Sequence, residues 1–541
     1  MDKVDYLNTF IDGSSSIVLT HFRHLALTTC FLFANPLAAR AMQERAPLAF
    51  LVQQFSVEGA NPLNAEETVA IFAPFVGRSH TLNSLQTVAK TLEQSIRDQG
   101  YAFYRVALPP QTLKEDARVR LQIIDFKLNN IEVVGNKYFD RENVIASIPE
   151  LQVGVSPNND LLGEQLQVAN QNSSRKLKLK LRQSEIPDQI DALVDVEDND
   201  PLQSYLLLNT RGAEQSGKWR LTGGIQHSNL WNLDHNINLS YTTSPDHADS
   251  VMQWGANYSL PLYRLGGWLN AYYAKSDSKS NVSTGTVAGG INISGAGEMM
   301  GVHYNQHLPR WKRYEHSLDI GLDDKHFLNN IEVAGQDVGP DVRSRPFSFT
   351  YRGELTYSLV KTSFYLSWSR NLDGGSDNTD VHYTQTRFGA AQGWDVLRYG
   401  ISADVQLPTQ WVLRINVSGQ DSRQPLISGE QIGLGGVYSI RGYQEREAAG
   451  DNGHIFHGEL WAPQWFPGVN LLAFYDYGFA NLVKPQPGDR DNQLLRSTGF
   501  GMRWHINQHF DTTADFAHAF DTTQFTAKGD NMLHYSIMYQ F

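Results

Sequence analysis

The tightest constraint on the fold lies in residues 201–541, where apolar and polar side chains alternate in segment after segment and no helical periodicity survives. In VMQWGANYSL (251–260), Met252, Trp254, Ala256, Tyr258 and Leu260 alternate with Gln253, Gly255, Asn257 and Ser259. In TSFYLSWSR (362–370), Phe364, Leu366 and Trp368 alternate with Ser363, Ser367 and Ser369. In WVLRINVS (411–418), Trp411, Leu413, Ile415 and Val417 alternate with Arg414, Asn416 and Ser418. Successive side chains of a strand point to opposite faces, so each segment has one face fit for lipid and one for water. A soluble sandwich would share this pattern. Segment length and aromatic placement favour the membrane: strands of about 9–11 residues cross when tilted, and Tyr or Trp near their ends suit interfacial girdles.

The chain ends LHYSIMYQF, with Leu533, Tyr535, Ile537, Tyr539 and Phe541 on one face. This terminal pattern resembles the assembly signal of bacterial outer-membrane barrels. From 203–212 to 531–541 about sixteen segments are placed, an even number within the range of single-chain barrels. Such a barrel has a water-filled lumen that something must fill or gate. No run of about 18 apolar residues occurs, so no spanning helix is expected. A net charge of −12 argues against a general nucleic-acid binder.

Residues 50–200 read differently. AFLVQQFSVEG (49–59) is a strand pattern, followed by two helical stretches and the strands AFYRVAL (102–108) and RVRLQIID (118–125). In the second helix Leu82, Leu85, Val88, Ala89, Leu92 and Ile96 recur on one face. The order then restarts with LNNIEVVGN (128–136), two helical stretches, RKLKLKLR (175–182) and QIDALVDVED (189–198). Two β-α-α-β-β units, 49–127 and 128–200, form an internal repeat, each able to bury a sheet face under two helices. Lys176, Lys178, Lys180 and Arg182 share one strand face. That stripe is a candidate substrate-binding surface, or a solvated face paired with Asp191, Asp195 and Glu197 on the next strand.

Upstream, LALTTCFLFA (25–34) follows His21, Arg23 and His24 and precedes ARA (39–41). Residues 1–41 therefore read as a secretory signal peptide. Its removal takes Cys30, the only cysteine, and leaves a mature chain without disulfides for an oxidising compartment.

The longest late connection, 420–453, contains LGGVYSIRGYQEREAAGDNG. Glu459 falls opposite Phe456 and Leu460, and Asp476 shares a face with Phe474 and Gly478. Two carboxylates pointing into a lumen need a cation, and a guanidinium can bridge both with forked hydrogen bonds. Arg441 is the nearest candidate in sequence, if the loop folds inward. An exposed Arg441, with the lumen acids neutralised by water or ions, fits the residues equally well.

The stretch QPLISGEQIGLGGVYSIRGYQEREAAGDNG (424–453) is very similar to the lumen-loop signature of two-partner secretion transporters, the TpsB branch of the POTRA-barrel superfamily. Ile440, Arg441, Gly442 and Tyr443 match its V-R-G-F/Y tetrad. Phe474, Asp476 and Gly478 match its wall motif, and Glu459 matches the acidic partner one strand earlier. The repeated units resemble two POTRA domains, with Ser174 where this branch usually has Pro. The resemblance implies a transmembrane β-barrel preceded by two small α+β POTRA domains, with loop 420–453 inserted in the lumen. It implies an outer-membrane translocator that exports a large β-helical partner exoprotein without nucleotide hydrolysis, POTRA domains in the periplasm. An outer-membrane insertase and a passive porin are the alternatives.

The family commonly carries an N-terminal plug helix; here only a short stretch separates the expected cleavage site from the first POTRA strand. Beyond the exoprotein, outer-membrane lipid, the assembly machinery and periplasmic chaperones are expected partners, with no nucleic acid and a monomeric state. No Walker-type G-x-x-x-x-G-K-[ST], H-E-x-x-H or G-x-S-x-G occurs, so no enzyme, cofactor or metal site is expected. His303 and His307 share a strand face over too long a span to hold one metal unaided.

Overall fold

The computed structural model describes residues 49–541 apart from 113–116, 213–215, 278–282, 288–290, 295, 329–331, 334–335 and 338–339. The expected signal segment 1–41, with Cys30, lies outside the described residues.

Amphipathic helices and short β-runs assemble first into two layered units. In the first, β1 (Gln54–Glu58), β2 (Tyr104–Ala107) and β3 (Arg118–Asp125) form a sheet in the order β1-β3-β2, with β1 parallel to β3. Helix α1 (Ala65–Phe72) starts on a capping box between Asn64 and Glu67, and α2 (Leu82–Asp98) starts on a Thr81 cap. Such caps satisfy amide groups that the first turn leaves orphaned. Leu85, Val88, Ala89, Leu92 and Ile96 of α2 are buried against the sheet. Leu82, expected on that face, stays exposed because the first turn lies before the helix reaches the core. The single strand expected over 49–59 is two: Phe50–Val52 pairs with Arg78–His80, and β1 pairs with β3.

The second unit repeats the plan with β4 (Lys127–Val134), α3 (Arg141–Ala146), α4 (Asn159–Ala169), β5 (Arg175–Gln183) and β6 (Gln189–Asp198). Its sheet order is β4-β6-β5, with β4 parallel to β6 and β5 at an edge. Leu128, Val144, Ile148, Leu162 and Val194 fill its core. Each such side chain contributes about 1.5–3 kcal/mol when buried fully.

A closed 16-strand antiparallel barrel follows. Its strands are β7 (Leu202–Asn209), β8 (Arg220–Leu230), β9 (His235–Thr243), β10 (Met252–Leu262), β11 (Gly267–Asp277), β12 (Ala296–His307) and β13 (Tyr314–Phe327). Strand β14 is interrupted at Arg345 (Val342–Ser344, then Pro346–Thr356), and β15 (Val360–Asn371), β16 (Asp395–Gln406) and β17 (Val412–Asp421) complete that wall. The far wall is β18 (Asn452–Trp461), β19 (Val469–Asn481), β20 (Asn492–His505), β21 (Phe510–Ala519) and β22 (Asn531–Gln540). Strand β22 closes on β7, with Ser536 opposite Asn209 and Tyr539 opposite Leu206. Closure removes the unpaired edges that lipid would not tolerate. Alternation sorts the faces: Trp254 is 56% exposed on the outside, whereas Gln253 beside it is 2% exposed on the inside.

One feature of 201–541 departs from the all-strand expectation. Helix α5 (Asp380–Thr386) stands between β15 and β16. Its Tyr383 is buried with Trp394, Val342, Leu426 and Ile427. A seven-residue helix with one buried apolar side chain leaves no helical period to read.

The second unit is fastened to the barrel. Arg175 forms a buried ion pair with Asp234 in the β8–β9 turn, at 2.9 Å. Asn143 donates to Asp234 at 3.0 Å, Tyr263 donates to the same carboxylate, and Ser228 donates to Ser174 at 2.7 Å. Breaking one partner of a buried pair costs about 3–5 kcal/mol, so this junction is stiff.

Candidate functional site

Loop 420–453 folds into the barrel. Inside it Ile432–Leu434 pairs with Ala448–Gly450 as a short hairpin, and Ile440–Tyr443 forms the tip. Gly435 and Gly442 have φ of 105° and 90°, the left-handed region that a side chain disfavours. A Cβ on Gly435 would also lie 2.2 Å from the Gln444 carbonyl oxygen.

The tip docks on β18–β22. Arg441 donates through Nε to Asp476 Oδ2 at 2.8 Å, through Nη2 to Oδ1 at 2.8 Å, and through Nη1 to Glu459 Oε1 at 2.7 Å. Its backbone N–H also reaches Asp476, at 3.1 Å, and Asp515 lies 3.8 Å from Nη1. Arg441 is 3% exposed and Asp476 is 0%. Burial alone would weaken the guanidinium's hold on its proton, but Asp476, Glu459 and Asp515 raise its pKa further.

Each wall residue has a physical task. Phe474 lies under the guanidinium, 3.5 Å from ring centroid to Cζ, where the ring face attracts a cation. Asp476 supplies the bidentate acceptor. Gly478 makes room: a Cβ there would lie 2.9 Å from Ile440 Cδ1. Ile440 and Tyr443 are wholly buried among Leu434, Ile455, Ala480 and Leu495. The Tyr443 hydroxyl donates to the Arg496 carbonyl at 2.9 Å and accepts from Asp521 N–H at 3.0 Å.

Several partners escaped the sequence reading. Gly442 N–H donates to His534 Nε2 at 2.9 Å, which ties the tip to the last strand. His457 lies 3.0 Å from Asp476, Trp461 donates to Glu459 at 2.8 Å, and Arg503 holds Asp515. Glu430, 2% exposed, reaches the opposite wall, where Lys325 and Arg398 lie at 3.1 and 3.2 Å and Ser344 donates at 2.9 Å. Burial would push the Glu430 carboxyl up, yet Lys325 and Arg398 hold it below its ordinary value. Asp451, 0% exposed, accepts from Arg387, Leu426 N–H and Val483 N–H. Strand parity places Lys325, Arg398, Asp515 and His534 on lumen faces; which loop residue each would meet has no local signal.

The other candidate residues lie apart from this cluster. Lys176, Lys178, Lys180 and Arg182 face outward on β5, opposite Glu197, Asp195, Leu193 and Asp191. Lys178 is bonded to Glu197, and Arg182 lies 3.7 Å from Glu132, so acids interleave the stripe. Tyr535, Ile537, Tyr539 and Phe541 point away from the lumen, with Phe541 64% exposed and its ring edge-on to Tyr539. His303 is held by Asp319 and Asp323, whereas His307 meets Gln171 of the second unit.

The family described as haemolysin secretion/activation protein ShlB/FhaC/HecB matches residues 188–504, and the ShlB-type POTRA domain matches 50–125. The chain is 22% identical over 480 residues to a heme/hemopexin transporter protein HuxB of Haemophilus influenzae, covering 85% of this chain and 82% of that one. It is 22% identical over 465 residues to an outer membrane transporter CdiB of Escherichia coli, covering 81% and 74%. Its fold is similar to the solved structure of CdiB from Escherichia coli, with a TM-score of 0.69, 17% identity and 94% and 93% of the two chains covered. With more than half its length matched, the chain belongs to the ShlB/FhaC/HecB family of haemolysin secretion and activation proteins.

Proposed function

We propose that this outer-membrane transporter moves one large, β-helical partner exoprotein, unfolded, from the periplasm through its lumen to the cell surface, and that loop 420–453 is its gate. The observation that carries the reading is Arg441, buried between Asp476 and Glu459 at the end of a loop lying inside the barrel. A cation held this way is stable while docked and costly once released, which gives the loop two distinct positions. A passive porin would show high, steady conductance and no need for residues 50–200, and an insertase would serve many barrel proteins rather than one partner.

In this reading residues 1–41 are a signal peptide, 49–127 and 128–200 are POTRA domains, and 201–541 is the transporting barrel. The free edge of β5 can add an extended segment of the partner through backbone hydrogen bonds. Tyr535, Ile537, Tyr539 and Phe541 are read by the assembly machinery, periplasmic chaperones keep the chain soluble beforehand, and the transporter works as a monomer in lipid. Folding of the partner outside biases its motion outward. Co-expression with a candidate partner, with and without residues 50–200, tests the reading. Surface display that needs those residues supports it; equal display without them refutes it.

A further inference from the structure

Beneath the loop lies a forked passage that begins at the second unit. A cavity of about 970 Å³ opens between α4 and the inner walls of the barrel, with Gly163, Gln167 and Gln171 on one side and Ser402 and Asn416 at its inner end. A second cavity, about 710 Å³, shares Ser402 and Asn416 and rises to Tyr438, Glu459 and Arg441. A third, about 520 Å³, shares Arg352 with the first and ends at Lys325, Arg398 and Gly429, beside the Glu430 pin. Both branches therefore stop under the points where the loop is fastened.

The face of α4 that borders the passage is opposite its buried Leu162, Val168 and Ala169. At Gly163 a Cβ would meet nothing within 4 Å, so bare backbone faces open space. The walls suit a sliding peptide. Ser363, Ser402, Asn416 and Ser418 present neutral donors and acceptors that backbone N–H and C=O groups can exchange in passing. Some charges nearby are paired, Arg414 with Asp404 at 3.3 Å and Lys361 with Glu354 at 2.9 Å, while Asp160, Glu164 and Arg352 also line the first cavity. The buried Arg175–Asp234 pair fastens to the barrel the unit that carries α4.

We propose that α4 of the second unit is the threshold over which an extended, unfolded polypeptide passes into the lumen, towards Ser402 and Asn416 and the underside of the Arg441 loop. This rests on the export reading above. The test uses the full chain in outer membranes, co-expressed with its partner. Gly163→Ala leaves the passage open and improves a helix position, so export stays at the wild-type level. Gly163→Trp fills the opening, and export falls at least tenfold while the amount of heat-modifiable barrel is unchanged. The photo-cross-linker p-benzoylphenylalanine, in place of Gln167 and separately of Ser402, captures the partner at both positions during export. Wild-type export by Gly163→Trp, or capture at Ser402 without capture at Gln167, overturns the threshold while leaving export intact. No surface partner from the wild type and no capture at Ser402 overturns the export reading and the threshold with it.

Discussion

Replacing Arg441 by Ala isolates the latch. The guanidinium makes three charge-assisted hydrogen bonds, two to Asp476 and one to Glu459. What the truncation costs is set by what it strands: Asp476 is 0% exposed and keeps only His457 and the loop's own amide as donors. Leaving one partner of a buried pair uncompensated costs about 3–5 kcal/mol. At about 1.36 kcal/mol per tenfold, the docked-to-free ratio of the tip falls between roughly a hundredfold and a few thousandfold. Arg441→Lys keeps the charge and loses the fork, so about 1.5–3 kcal/mol is expected. Arg441→Ala with Asp476→Asn removes the stranded charge and recovers about 2–3 kcal/mol of the summed single losses. Single-channel recording in planar bilayers reads the ratio as the frequency of openings, and heat-modifiable migration on gels controls for the barrel, whose strand ladder does not use this side chain. Export falls in parallel, because the freed tip exposes Ile440 and Tyr443 and the loop has lost the docked position from which it switches. Channel openings and export both unchanged in Arg441→Ala, or strictly additive losses in the double variant, would refute the latch.

Glu430→Gln unfastens the opposite wall by about 1.5–3 kcal/mol. The folded state holds Glu430 below its ordinary value of 4.5, so its contribution is complete above that pH and is lost as pH falls through the lowered value. Channel openings of the wild type therefore increase on acidification below 4.5, and Glu430→Gln shows a smaller increase on the same recording. Gly478→Ala pushes a Cβ into Ile440 and costs about 1–3 kcal/mol of loop docking. The loss is read as faster amide exchange over 435–443 in Gly478→Ala than in the wild type, and unchanged exchange would refute it. Deleting Phe541 removes a side chain that is 64% exposed on the lipid face, so the thermal midpoint of assembled barrel is unchanged while the amount assembled in membranes drops. An equal amount with a lowered midpoint would assign Phe541 to stability instead.

Much of the architecture was legible because it is periodic. Alternation placed the sixteen segments and their lumen faces, since a strand's side chains have a period of two and lipid rejects polar groups. Asp476 could be assigned inward from Tyr475 and Tyr477 alone, and Glu459 from its neighbours Phe456 and Leu460. Helix α5 and the split of 49–59 were not legible, because short elements fixed by tertiary packing leave no period. Arg441 in the lumen was one of two readings that the residues allowed, and the similarity of 424–453 to a family signature favoured it.

Tertiary structure alone decided which groups meet. Glu430 with Lys325 and Arg398, Asp451 with Arg387, His534 with Gly442, and Arg175 with Asp234 join residues that lie 32 to 105 positions apart. Local chemistry specifies that each is charged or polar and which face it occupies. Only closure of the cylinder and the docking of the second unit specify the distance between them, and the energy of a buried ion pair depends on that distance.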